Sequence, residues 1–435
     1  MKTVSFVKKE IAELKKMPYF WGRLFCFSIL FSLNELTVTH YLSPNLYLFI
    51  VALAIFFIPS VVMQALALDR VGVKVKLTPP LLLWLVLGAI ATFNEVIYGI
   101  TNGVTPIYQA SVFWLFIPVL ILCGKEPGFY KLFLLSFIAP ILFNIISGIV
   151  LYPFVDNIYA LALAGSAPVL FVGTIAFARK KLLLPSIFFI ICSGLVFYLS
   201  IVSMGRAGFT AIVIGLLSII VLFVIVEFTK TENPLFEKRL RIASNLSSIL
   251  IFAAAVLLIV VIQTIFPTFE DKPYRPVLSN IFEKYLYSFQ TSNVLTNRLS
   301  IWKYTFENIS LIGNGPFFYI SVPSYYHAHN SFIAVLGHYG PVVLILYIIF
   351  CIYALATSIK YAFKPLPFKY LPFVTMMIYF SAGFVEDVAC HVVPRMFAVC
   401  FYFSCSLLIN EYPKAIKRRA PKPNIRISLK NKSVH

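Results

Sequence analysis

Twelve apolar runs constrain this chain more than any motif in it. They cover residues 20–38, 46–68, 79–97, 104–123, 132–153, 158–177, 182–203, 208–228, 246–266, 332–359, 370–385 and 396–410. Helices of such lengths cross, or nearly cross, about 30 Å of hydrocarbon, where only a helix or a closed barrel satisfies its own backbone. The first run and the last two are short or interrupted by polar residues. Hydrophobic residues make up 60% of the 435 and charged residues 12%, against roughly 45–50% and about 25% in soluble domains. No single water-soluble core hides that much apolar surface. The expected fold is an all-α polytopic membrane protein with about 12 transmembrane helices.

The net charge of +19 fits either a nucleic-acid binder or a membrane protein whose basic residues collect on one side. Its distribution decides. With the N-terminus in the cytoplasm, the inward loops hold Arg70, Lys74 and Lys76; Lys125 and Lys131; Arg179, Lys180 and Lys181; Lys230, Lys238, Arg239 and Arg241; and Lys360, Lys364 and Lys369. Only seven of the 36 Lys and Arg fall outside: Arg206, Lys272, Arg275, Lys284, Arg298, Lys303 and Arg395. This bias implies that both termini are cytoplasmic and that nucleic acid is not a partner. The basic N-terminus reads as an amphipathic lead-in rather than a cleaved signal, and the tail 411–435 reads as a segment lying on anionic membrane lipids.

Four parts follow: a transmembrane bundle over 1–265, an outer loop over 266–331, further transmembrane helices over 332–410, and the basic tail over 411–435. The outer loop separates runs nine and ten. It is too long for a passive connection and too rich in Tyr, Phe, Leu and Ile for disorder. Residues Leu295 to Ile309 have helical spacing, with Leu295, Leu299, Trp302 and Phe306 on one side, and Gly313-Asn314-Gly315-Pro316 ends that helix. This predicts a partly helical subdomain on the outer membrane surface. Five of the six histidines also fall on the outer face. The seven cysteines have no CxxC spacing, so neither a disulfide frame nor a zinc site is indicated, and most read as small buried hydrophobes.

Four constellations lie on that outer face. Ser203-Met204-Gly205-Arg206-Ala207-Gly208 puts an arginine among small residues at a membrane boundary. It is either a snorkelling anchor or a cation with an anionic ligand, for which the flanking glycines allow close backbone approach. Arg298 and Trp302 stand four apart on one helical face, as an arginine stacked on an indole or as a guanidinium that grips phosphate. His327 and His329, before Asn330, do not share a helical face, and no HExxH occurs, so metal ligation by this pair alone is poorly supported. A hydrogen-bonded interfacial histidine and a proton-accepting His329 both remain open. Glu386 and Asp387, with His391 and Arg395, form a mixed-charge turn whose members either pair with one another or bind substrate.

In these stretches the chain resembles the O-antigen ligase and polymerase superfamily of bacterial membrane glycosyltransferases. The matching features are S-M-G-R-A-G closing a span, R-L-S-I-W and then I-G-N-G-P in a large outer loop, H-A-H-N-S-F opening the next helix, and G-H-Y-G-P after it. The resemblance spans about 160–410 in layout, with its specific motifs between Ser203 and Gly340. It implies a bacterial inner-membrane enzyme that catalyses a metal-independent, inverting transfer at the periplasmic face. The donor would be an undecaprenyl-diphosphate-linked glycan and the acceptor lipid A-core, with no cofactor. Carried over residue by residue, Arg206 and Arg298 neutralise the diphosphate and His329 activates the acceptor hydroxyl, with His327 and Asn330 orienting this centre. Trp302, Asp387 and Arg395 join the expected substrate contacts. A polymerase joining lipid-linked repeat units uses the same logic with a different acceptor, and a flippase or transporter is the alternative from another class.

Overall fold

The computed structural model describes residues 15, 17–38, 77–102, 109–124, 126, 128–150, 157–203, 205–228, 298–315, 318–319, 327–364, 366, 368–389 and 396–417. Among these, all regular structure is helical. In chain order the helices are α1 (Phe20–Val38), α2 (Pro79–Asn102), α3 (Gln109–Cys123), α4 (Phe129–Ser136), α5 (Ile138–Val150), α6 (Asn157–Arg179), α7 (Leu183–Val202), α8 (Arg206–Phe228), α9 (Arg298–Glu307), α10 (Ser331–Ala362), α11 (Leu371–Gly383) and α12 (Met396–Lys417). Six stretches are long and apolar enough to cross a membrane: Pro79–Asn102, Phe129–Val150, Tyr159–Arg179, Leu183–Ile201, Arg206–Val226 and Ser331–Ala362. The chain is a multi-pass membrane protein. The expected runs 46–68 and 246–266, and most of the outer loop, lie outside the described residues.

Helix α6 is the axis of the bundle, and α7, α8, α11 and α12 all pack on it. Its sequence explains this position. Ala160, Ala162, Ala164, Ser166 and Ala167 are fully buried, and small side chains let helix backbones approach closely where hydrocarbon offers no hydrophobic drive. At Gly208 the start of α8 meets the Ala160 carbonyl so closely that a Cβ would collide with it. This corrects the reading of the glycines around Arg206: Gly208 makes room for a neighbouring helix. On the other side of the bundle α2 packs on α3 and α10, with Trp84 fully buried and its ring 4.4 Å from that of Phe350.

The expected run 132–153 is two helices. Gly128, at φ 88°, starts α4, and Phe137 divides α4 from α5, its amide bonded to Leu134 O three residues back. Beside them, α1 is fixed by a buried ion pair, in which Arg23 donates Nη1 to Glu126 Oε1 at 2.8 Å and Nη2 to Oε2 at 2.5 Å.

Helix α10 is broken. Gly340 takes φ 84° and ψ 174°, and Pro341 has no N–H to give. A continuous helix would bond the carbonyls of Gly337, His338 and Tyr339 to the amides of residues 341–343. Here other groups replace those amides. Asn314 N donates to Gly337 O at 2.8 Å, Gly315 N to His338 O at 3.1 Å, and Asn94 Nδ2 to Tyr339 O at 2.7 Å. Gly313 and Gly315 both have positive φ, and a Cβ on Gly313 would strike the His338 carbonyl. The two glycine-rich stretches are thus halves of one device: the loop after α9 plugs the break in α10 and ties α9 to the bundle.

Candidate functional site

Three segments meet beside the first turn of α10: helix α9, the strand of residues that opens α10, and the turn that follows α11. Helix α9 buries Arg298, Ile301 and Thr305, while Leu299 and Phe306 are exposed. Of the residues expected on its apolar side, Trp302 packs on the core while Leu299 and Phe306 do not, and the arginine is buried. Thr305 Oγ1 lies 3.1 Å from the Tyr319 hydroxyl, which donates to Ile333 O at 2.8 Å, so α9 is locked to the head of α10.

Residues His327 to Ser331 are held by bonds from every side. The Trp302 indole donates to Ala328 O at 3.0 Å, between the two histidines. Asn330 caps α10, its side-chain oxygen accepting from Phe332 N at 2.9 Å and Ile333 N at 3.1 Å. Its Nδ2 donates to Phe384 O at 3.0 Å. Ser331 Oγ donates to Glu386 O at 3.2 Å and accepts from Val388 N at 2.9 Å. His329 takes φ 51°, a left-handed conformation unusual for a residue other than glycine. Strain of this kind persists where the surroundings over-determine it, and here it brings the His327 and His329 rings to 3.9 Å between centroids.

The turn after α11 supplies a carboxylate. Glu386 Oε2 lies 3.0 Å from His329 Nδ1 and 3.6 Å from His327 Nε2, and its Oε1 accepts from Arg298 Nη2 at 3.1 Å. Burial on its own would raise the Glu386 pKa. The imidazole groups of His327 and His329 and the charge on Arg298 outweigh burial and hold it well below the usual carboxylate range. An ionised carboxylate only accepts hydrogen bonds, so His329 Nδ1 is the donor. That assigns the tautomer: in neutral His329 the proton sits on Nδ1 and the lone pair on Nε2. The His329 side chain is 30% exposed, which leaves that lone pair within reach of a ligand.

Among the expected site residues, Arg298, Trp302, His327, His329, Asn330 and Asp387 therefore belong to one neighbourhood. Asp387 is buried and accepts from Ala389 N at 3.2 Å, shaping its own turn. The acidic residue that reaches the histidines is Glu386. Arg206 is half-buried at the head of α8. The α8–α11 pairing is antiparallel: Phe223 meets Tyr370, and eight residues on in each helix Gly215 meets Ile378. That register puts the start of α8, with Arg206, at the same end of the pair as the turn after α11. Arg395 and His391 lie outside the described residues.

Glu386 is the residue that sequence reasoning undervalued. Its signal was there, in the mixed-charge turn that it shares with Asp387. Only the fold shows that it, and not its neighbour, faces His329. The arrangement can accept a proton at a carboxylate-oriented imidazole, hold an anion near the buried Arg298 guanidinium, or gather His327, His329 and Glu386 around a cation. No protein-family model matches the chain, and no curated protein is similar to it.

Proposed function

We propose that this protein is a metal-independent, inverting glycosyltransferase of the bacterial inner membrane, with some twelve membrane-spanning helices, both termini in the cytoplasm and its site on the periplasmic side. The reaction proposed is O-antigen ligation: transfer of a finished glycan from undecaprenyl diphosphate to the sugar of lipid A-core. One observation carries this reading, the Arg298–Glu386–His329 chain, which gives the expected base an orienting carboxylate and gives that carboxylate a counter-cation.

The acceptor hydroxyl attacks the anomeric carbon, its proton passes to His329 Nε2, and the bond from that carbon to the diphosphate oxygen breaks. Glu386 stabilises the imidazolium that forms, as carboxylates do in related base–orienter pairs. The leaving diphosphate gathers negative charge, and Arg206 and Arg298 are the cations for it in a site of low dielectric. Arg298 donates Nη2 to Glu386 Oε1, and a guanidinium is the side chain best shaped to grip a phosphate. Trp302, His327, Asn330 and Asp387 hold the centre in place, and Arg395 is a further candidate contact for the diphosphate.

A second reading, transport of the lipid-linked glycan, draws on the break in α10, because discontinuous helices form many transporter sites. Yet the carbonyls freed at Gly340 are already taken by Asn314, Gly315 and Asn94. The break is thus satisfied from within the protein, which favours chemistry over transport.

A deletion strain tests the reading. Lipopolysaccharide with bare core, beside long glycans accumulating on the carrier, is the expected result. Single repeat units on the core would make the protein a polymerase of the same class, and an unchanged pattern would contradict both.

A further inference from the structure

Glu386 Oε2 faces two imidazole nitrogens at once. His329 Nδ1 is at 3.0 Å, His327 Nε2 at 3.6 Å, and all three atoms lie within 4.8 Å of one another. Zinc bonds imidazole nitrogen at about 2.0–2.1 Å and carboxylate oxygen at about 2.0–2.2 Å, so two such ligands at a tetrahedral angle stand roughly 3.3–3.5 Å apart. The two measured edges fall on either side of that spacing. The third closes by rotation of His327, whose side chain is 41% exposed.

The surroundings hold these three groups in place. Arg298 occupies Oε1, which leaves Oε2 to be offered singly. The Trp302 bond to Ala328 O fixes the backbone between the two histidines. Such supports orient metal ligands and set their affinity. Two imidazoles and one carboxylate favour first-row transition ions and zinc over magnesium or calcium, and three protein ligands leave a fourth position open.

We propose that His327, His329 and Glu386 form a ligand set for a divalent cation of this class, zinc foremost, and that its occupancy switches off proton acceptance at His329. The second half rests on the function proposed above; the first does not. A cation on Nδ1 takes the lone pair of that nitrogen, and the ring proton moves from Nδ1 to Nε2. The ring stays neutral but loses its acceptor atom. Glu386, now a ligand, no longer orients the imidazole for catalysis.

The test uses the full chain, purified in detergent without a histidine tag, with Co²⁺ as a spectroscopic probe and Zn²⁺ as competitor. The expected result is one Co²⁺ per chain with the intense visible bands of a four-coordinate site, displaced by Zn²⁺. His327→Ala and Glu386→Gln should each weaken uptake about tenfold or more, in the range seen when ligands or their supports are lost. His327 is partly exposed, so its variant tests the site even if substitution of His329 disturbs folding. Uptake that is absent, or unchanged in His327→Ala, overturns the site. Transfer that runs at full rate with zinc bound overturns the switch alone. Co²⁺ uptake by a protein that shows no transfer activity even when metal-free supports the site and counts against the proposed function, so the two failures are distinguishable.

Discussion

Two arginine–carboxylate pairs in this molecule share a chemistry and differ in everything that surrounds it. Arg23 and Glu126 meet through both ends of both groups, at 2.8 and 2.5 Å, with side chains 0% and 3% exposed. Arg298 and Glu386 meet through one contact at 3.1 Å, are 11% and 20% exposed, and share the carboxylate with two histidines. The first pair is closed: the two groups meet end to end in the interior, and Arg23 Nη1 also donates to Pro18 O. The second is open, nearer the surface, with its carboxylate shared with a partly exposed imidazole that has a lone pair to offer. Buried pairs of the first kind fix a structure. A pair of the second kind tunes a reactive neighbour. The difference teaches that pairs of one chemistry diverge in what they touch: one is shut in the interior, the other shares its carboxylate with a partly exposed imidazole.

Breaking each pair should therefore fail differently. Arg23→Ala strands the Glu126 carboxylate in a closed interior, and removing one partner of such a pair costs about 3–5 kcal/mol. The expected outcome is a chain that inserts poorly or loses its melting transition, read by detergent-solubilised yield and thermal unfolding. His329→Ala should leave yield and melting close to the wild type and lower glycan transfer by roughly 10²–10⁴-fold, the usual reach of a general base. Glu386→Gln removes the orienting charge but keeps the shape. Transfer should fall by about one to two orders of magnitude, less than for His329→Ala, since the base itself survives. Asn330→Ala removes the cap of α10 and should cost about 1 kcal/mol, seen as a lower melting temperature with a smaller loss of rate. Lys303→Ala breaks only the exposed pair with Glu307 at 3.8 Å, and should change stability by less than about 0.5 kcal/mol.

Much of the architecture was legible because apolar length is a strong signal. Ten of the twelve expected runs fall on described helices, and the other two lie outside the described residues. Boundaries moved where backbone chemistry intervened: the run at 208–228 begins at Arg206, and the run at 132–153 is divided at Phe137. The helix at 298–307 was legible, but its orientation was not. Periodicity finds an apolar side without saying which way it turns, and in a membrane protein an apolar residue can face lipid as well as core. Leu299 and Phe306 accordingly point away while Arg298 is buried. The glycine-rich stretches near 313 and 340 were legible as turns. Their mutual plugging was not, because it depends on which carbonyls a broken helix leaves bare.

Within the site, the residue types were legible and their pairing was not. Loop parity grouped the histidines and arginines of these stretches on one expected side. The choice of Glu386 over Asp387 turns on one residue's rotation about the end of α11, which no spacing encodes. The contact belongs to residues 57 apart in sequence.

The most direct test of the central claim, that His329 accepts the proton and Glu386 acts through it, is a double-mutant cycle on glycan transfer. Wild type, His329→Ala, Glu386→Gln and the double variant would be compared in proteoliposomes carrying a lipid-linked glycan donor, under single-turnover conditions. Residues that work as a unit are strongly non-additive, so the double variant should be no slower than His329→Ala. A double variant slowed by the product of the two single losses, or a His329→Ala protein that transfers at the wild-type rate, would contradict the account.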